Sequence, residues 1–247
     1  MKYFFINITI CIISLFEGVI GDNLINVEEH KTYTDYVNPL IGTSNYGATN
    51  PGAISPRGMV SLSPFNVSGK QNTFEKDSGW LSTPYVNENS FLTGFSHINL
   101  SGVGCPDLGV ILTMPTVGDL ITNHLEYGST YEEEKATAGY YTTTLKKYNI
   151  KVEATATTRV GISKYTFPKG KSNIIINLGL GLTNESGGSI KIVSPTEIEG
   201  IRNVGSFCYY KPEESYPVYF VAKFSKPSNN FGIWKNTADF NGLEKQW

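Results

Sequence analysis

A histidine, a cysteine, an aspartate and four glycines fall within residues 94–115, GFSHINLSGVGCPDLGVILTMP. A histidine such as His97 exchanges a proton near neutral pH or hydrogen-bonds a hydroxyl, and a carboxylate such as Asp107 accepts several hydrogen bonds. Cys105 is a small, soft neighbour for either. Gly102, Gly104 and Gly109 allow left-handed backbone or close approach of a ligand. The apolar run at 110–114 follows at once, so a polar loop feeds a buried strand, a common way for a sheet to carry a binding site. A structural turn that merely needs glycine reads the same way. Both readings stay open from the residue types alone.

The stretch resembles the signature of glycoside hydrolase family 92, the calcium-dependent exo-acting α-mannosidases. Upstream, residues 37–64, VNPLIGTSNYGATNPGAISPRGMVSLSP, resemble the opening motif of that family. Downstream, residues 138–168, AGYYTTTLKKYNIKVEATATTRVGISKYTFP, and 218–235, VYFVAKFSKPSNNFGIWK, continue the likeness. The four blocks are collinear and correspond to the N-terminal domain of the family. The resemblance implies an all-β antiparallel sandwich of the galactose-mutarotase-like supersandwich type, lacking the helical barrel domain of the full-length family. It implies a mannose-containing glycan as partner.

Inverting glycoside hydrolysis needs an acid and a base ~6.5–9.5 Å apart. In the family these groups and the calcium ligands belong to a following (α/α)-barrel domain, and nothing in this chain matches it. The expectation is therefore no catalytic residue and no metal ligand here. Calcium and a barrel domain, in cis or in trans, would complete the enzyme. Asp77 and Asp119 read as solvated surface acids. Asp107 suits either a bond to a sugar hydroxyl or bracing of its own loop.

The substrate-binding residues implied are Trp80, His97, Gly104, Cys105 and Asp107. Trp80 sits in DSGWLSTPY, inside a long polar excursion over residues 66–85. An indole there offers an apolar face to a sugar ring beside the subsite for the leaving sugar; a tryptophan plugging the core edge is the rival. His97 would bond a hydroxyl or hold the loop; a buried histidine satisfied by backbone carbonyls is the rival. Relatives more often carry a second histidine where Asn99 stands and an acid where Val110 stands. Near Ala48 and Asn50 their commoner pattern has a histidine and an aromatic. These departures bear on linkage specificity, while the glycine and proline framework is kept. Two other readings of function are a free-standing carbohydrate-binding module and a non-functional fragment.

The elements that must position these residues read as strands. Residues 152–159, VEATATTR, alternate with period two, the mark of a half-buried antiparallel strand. Further strands are expected at 59–63, 116–125, 139–145, 161–167, 173–178, 191–201, 205–210 and 218–224. Turn residues recur about every ten positions, which favours a sandwich. The charge run Glu132, Glu133, Glu134, Lys135 reads as a solvated loop. No amphipathic helix, phosphate loop or repeat is visible.

Residues 1–21 read as a signal peptide, with Lys2 as the positive end and an apolar stretch interrupted by Glu17. Residues 22–247 are then the β-sandwich domain, secreted or periplasmic. Of the remaining cysteines, Cys105 and Cys208, a disulfide is possible in such a compartment; the place of Cys105 in the signature argues instead for a free side chain. The net charge of −2 points to neither nucleic acid nor a membrane surface. Asn66, Asn99 and Asn184 head N-x-S triplets that accept glycans in a eukaryotic host.

Overall fold

The computed structural model describes residues 31–44, 47–68, 82–182, 187–205, 214–236 and 243–246. Residues 1–21, Trp80, Asn184, Cys208 and all but the first residue of the strand expected at 205–210 lie outside them. One compact unit runs from Tyr33 to Trp247. It is nearly all β, with antiparallel pairing throughout the registers.

The first five-stranded sheet contains β1 (Ala53–Ile54), β2 (Ser61–Phe65), β4 (Gly94–Ser96), β7 (Leu112–Val117) and β12 (Ser172–Asn177), in that spatial order. The second is ordered β11 (Gly161–Thr166), β10 (Ile150–Ala156), β9 (Tyr140–Leu145), β8 (Ser129–Thr137), β3 (Phe91–Leu92). Leu62, Phe95, Met114 and Ile175 of the first sheet share one core with Leu92, Tyr141, Leu145, Ile150 and Val152 of the second. The Phe95 and Tyr141 rings meet across the layers at 6.3 Å. The expected sandwich is therefore present. Burying each such large apolar side chain contributes about 1.5–3 kcal/mol before entropy is set against it. The period-two stretch at 152–159 falls on β10, whose Val152 and Ala154 point inward, but the strand ends at Ala156 and residues 157–159 turn toward β11.

A three-stranded sheet, β13 (Gly188–Ser194), β14 (Glu197–Val204) and β15 (Tyr216–Lys223), forms a second, smaller layer. A two-stranded pair, β5 (Ile98–Asn99) and β6 (Leu108–Val110), lies in the signature stretch. A last hairpin joins β16 (Ile233–Asn236) to β17 (Leu243–Gln246).

Four expectations are corrected. The strand expected at 116–125 ends at Val117, because Gly118 turns left-handed at φ 96°. A single helical turn, α1 (His124–Tyr127), follows, capped by the Asn123 side chain, which accepts from Leu125 N at 3.1 Å. The strand expected at 191–201 is two strands, β13 and β14, broken at Pro195 and Thr196. The charge run lies within β8, and a register shift between Glu132 and Lys135 turns Glu134 inward. Finally, the triplet headed by Asn66 is no glycan acceptor: Asn66 is fully buried, donating to the Val86 and Asn89 carbonyls and accepting from Val86 N.

Candidate functional site

The signature stretch is a seam between the two layers. β4 enters the large core through Phe95, while Val110 and Ile111 enter a smaller core with Val204, Val218 and Phe220. His97 stands between β4 and β5. Its backbone N–H donates to Val110 O at 3.0 Å and its carbonyl accepts from Ser61 N at 3.1 Å. The ring nitrogen Nδ1 lies 2.6 Å from Ile111 O. A carbonyl only accepts, so Nδ1 carries the proton. Burial lowers the ring's pKa against the opposing pull of the Ile111 and Phe95 backbone. His97 is thus a neutral imidazole that braces the turn into β7.

The backbone of that turn is strained. Leu108, Gly109 and Ile111 all take left-handed φ, at 60°, 67° and 57°. For a β-branched residue such as Ile111 this is costly, on the order of 1–3 kcal/mol. Glycine is required at 109, where a Cβ would also stand 2.7 Å from Leu182 Cγ. Gly104 differs: a Cβ there would meet nothing within 4 Å, so packing does not demand glycine at this exposed position.

Asp107 is 3% exposed, and its Oδ1 accepts from Leu108 N at 2.8 Å. Burial raises its pKa, and the bond to Leu108 opposes the rise. This geometry braces the loop. The Asp107 charge also acts on Tyr216, whose hydroxyl is pushed up first by its own burial and then by Asp107. Tyr216, at the start of β15, is a neighbour of the site that no sequence signal picked out. The structure corrects the reading of Cys105 as a free soft contact: its sulfur is disulfide-bonded.

Ala48, Asn50 and Asn99 each hydrogen-bond to a neighbouring segment, while Val110 is buried in the small core. Gly102 N donates to Ala48 O, and Asn50 Nδ2 donates to Leu100 O at 3.1 Å. Asn99 accepts from Ser96 Oγ at 2.7 Å and donates to Ser61 O at 2.8 Å. Thr83 Oγ1, at the base of the 66–85 excursion, donates to Thr49 O at 2.9 Å. Hydrogen bonds therefore tie the segments around 48–50, 83 and 97–107 to one another. His97, Gly104 and Asp107 lie in the last of these segments, while Trp80 lies outside the described residues.

Among the described residues, no group of three or more His, Cys, Asp or Glu side chains is disposed to hold a metal ion. Among those residues no helix is long and apolar enough to cross a membrane, which leaves strand-built spans unaddressed.

Comparison with known proteins gives a consistent picture. The glycosyl hydrolase family 92 N-terminal domain matches residues 36–246. An uncharacterized secreted glycosidase of Arthroderma benhamiae is 28% identical over 222 residues, which is 85% of this chain and 26% of that protein. A family GH92 α-mannosidase from Bacteroides thetaiotaomicron superposes with a TM-score of 0.68 at 29% identity, over 87% of this chain and 30% of that one. A family GH92 inverting mannosidase from the same species superposes at 0.65 and 24% identity, over 87% of this chain and 28% of that one, a likeness of fold. The chain thus spans between a quarter and a third of the length of these relatives.

Proposed function

The chain belongs to glycoside hydrolase family 92 through the family's N-terminal domain, and from that premise we propose that it is the substrate-contacting half of an exo-acting, inverting α-mannosidase site. The acid, the base and the calcium come from a barrel domain supplied in cis or in trans, and this chain alone is not catalytic. Its ligand is a mannose-containing glycan. One observation carries the reading: the segments around 48–50, 83 and 97–107 are stapled together by hydrogen bonds that cross between them. A strained, braced backbone on a rigid scaffold is how a sheet protein holds a recognition surface in shape.

In this reading His97 and Asp107 act by position. His97 fixes the turn into β7 through Ile111 O, and Asp107 fixes the start of β6 through Leu108 N. Gly104 presents open backbone to the sugar. The local departures at Ala48, Asn50 and Asn99 tie loops together, so they shape the rim of the subsite and its linkage preference. A secreted or periplasmic location belongs to the same reading. It is supported by the leader-like residues 1–21 and by the naming of the Arthroderma relative as a secreted glycosidase.

The test is a nuclear magnetic resonance titration of the purified chain with methyl α-mannoside, beside an assay for released mannose with calcium present. Amide shifts are expected at 48–50 and 97–107, with no mannose released from an aryl α-mannoside. Shifts confined to other surfaces would sink the contact role. Metal-dependent release of mannose by the chain alone would sink the division of labour.

A further inference from the structure

The three-stranded sheet has two unlike faces. β14 is its middle strand, so β13 and β15 take up its backbone groups from either side. Ile190, Gly200 and Phe220 form one cross-strand row. Phe220 packs against the small core of Val110, Ile111 and Val204. Its ring lies across Gly200, where any Cβ would collide with it. Side chains alternate along a strand, so the rows on either side of this one point the other way, off the face opposite the small core. One is Ser189, Ile201 and Tyr219; the other is Lys191, Glu199 and Val221. Between them runs a trough of about 450 Å³, floored by the Gly200 row.

The two ends of the trough differ in chemistry. On β15 the Tyr219 side chain is 72% exposed and Val221 57%, an aromatic surface beside an aliphatic one. On the β13–β14 side Lys191 Nζ and Glu199 Oε2 stand 3.8 Å apart. That separation makes an ion pair but not a direct hydrogen bond, and exposed pairs hold their geometry only weakly. The pair thus offers a donor and an acceptor side by side. A hydroxyl both accepts and donates, so one hydroxyl can accept from Lys191 and donate to Glu199. Ser189 adds a further hydroxyl-binding group. The pair is neutral in sum, so neither an anion nor a cation gains net attraction. An extended peptide would find no edge to pair with on the floor. A wholly apolar ligand would take water from the ion pair and give nothing back. The remaining fit is a neutral polyol with one apolar face. A pyranose is such a molecule: its C–H face suits an aromatic ring, and its rim carries hydroxyls.

We infer that this trough is a second glycan site, which binds one pyranose with the C–H face on Tyr219 and a hydroxyl bridging Lys191 and Glu199. It uses no residue of the signature stretch and does not rest on the function proposed above. A branched glycan that reached both surfaces would be held more tightly than either surface holds one sugar.

The contacts select no epimer, so the full chain is titrated separately with methyl α-mannoside and methyl β-glucoside, followed by amide resonances. Shifts at 189–191, 199–201 and 219–221 are expected from at least one of them; none from either overturns the site. Tyr219→Ala should weaken the binding read at these amides about tenfold, and Tyr219→Phe by less than about twofold, since the ring is kept. Lys191→Ala and Glu199→Ala should each weaken it about three- to tenfold. All three side chains are largely exposed, and circular dichroism checks that the variants fold as the wild type does. Wild-type affinity in Tyr219→Ala overturns the site. So does a dimer in sedimentation velocity that Tyr219→Ala dissolves and neither sugar does, which would give this face to a second copy of the chain. Shifts here with none at 48–50 and 97–107 would sink the proposed function and leave this site standing; the reverse would sink this site alone.

Discussion

The two five-stranded sheets and the three-stranded sheet bury themselves to different depths. The large sandwich closes on itself: Phe95, Leu62 and Met114 on one layer face Tyr141, Val152 and Leu145 on the other, all essentially without solvent contact. The three-stranded sheet buries Ile198 and Val204 on one side and leaves Tyr219 and Val221 exposed on the other. The signature stretch joins the two, giving Phe95 to the large core and Val110 and Ile111 to the small one. This explains how its backbone tolerates three left-handed residues in four positions. Both of its ends are gripped by packing, so the strain between them has nowhere to relax.

If the large core is the main source of stability, truncating its centre must cost most. Phe95→Ala is expected to lower stability by about 3–5 kcal/mol, the range for a buried phenylalanine. Ile111→Val in the small core should cost only about 0.5–1.5 kcal/mol. Urea midpoints at constant slope measure both. Equal losses would mean that the two cores are one cooperative unit of uniform strength.

The next effect comes from Glu134. Its Oε1 accepts from Tyr141 OH at 2.6 Å and its Oε2 from Tyr85 OH at 2.8 Å. Both tyrosines are fully buried. Glu134→Ala removes the acceptor of the Tyr141 hydroxyl and leaves Tyr85 OH only the longer bond to Asn87 Oδ1 at 3.4 Å, and should cost about 2–4 kcal/mol. Glu134→Gln keeps one acceptor and should cost about half as much. A loss below about 0.5 kcal/mol for the alanine variant would show that water replaces the carboxylate freely. This knot was not legible in the sequence. Four consecutive charged residues read as solvated, and only a bulge, with Glu133 at φ 55°, turns the third of them inward. The period-two strand at β10, by contrast, was legible because both faces of a strand repeat without interruption.

At the seam the expected effect is smaller and local. Asn99→Ala removes the bonds to Ser61 and Ser96 and should cost about 1–2 kcal/mol. Hydrogen exchange should quicken at 96–100 and leave β9 and β10 unchanged. Spread of the effect into β10 would erase the distinction between the regions. Of the site itself, the sequence located the loop and its glycines, and the family likeness carried that. It did not reveal that Asp107 and His97 turn back onto the backbone, because a side chain's direction depends on left-handed residues such as Leu108 and Ile111 that no propensity predicts. A disulfide at Cys105 was among the readings the sequence allowed, but its place in the signature favoured a free thiol, and the structure has it bonded.

The smallest effect separates the regions by sign. His97, at the seam, has its pKa lowered from 6.5 by burial. In the window between that lowered value and 6.5, the unfolded chain binds the proton and the folded chain does not. Stability from His97 is therefore complete above 6.5 and declines as pH falls below it. Glu134, in the large sandwich, has its pKa raised from 4.5 by burial, against the two tyrosine bonds. Between 4.5 and that raised value the folded chain binds the proton and the unfolded chain does not. Its contribution therefore grows as pH falls through the window and is weakest at neutrality. Acidification should weaken the seam first and then favour the sandwich. His124, also lowered by burial, adds to the seam's direction of change and must be present in both arms of the comparison. Tm measured from pH 7.5 to 4.5 is expected to fall less between 7.5 and 5.5 in His97→Gln than in the wild type, since glutamine still donates to Ile111 O without titrating. In Glu134→Gln the lower part of the curve should steepen, because the carboxylate's opposing gain is gone. Parallel curves for the wild type and His97→Gln would show that His97 titrates alike in the folded and unfolded chain, and the braced neutral imidazole would then be wrong.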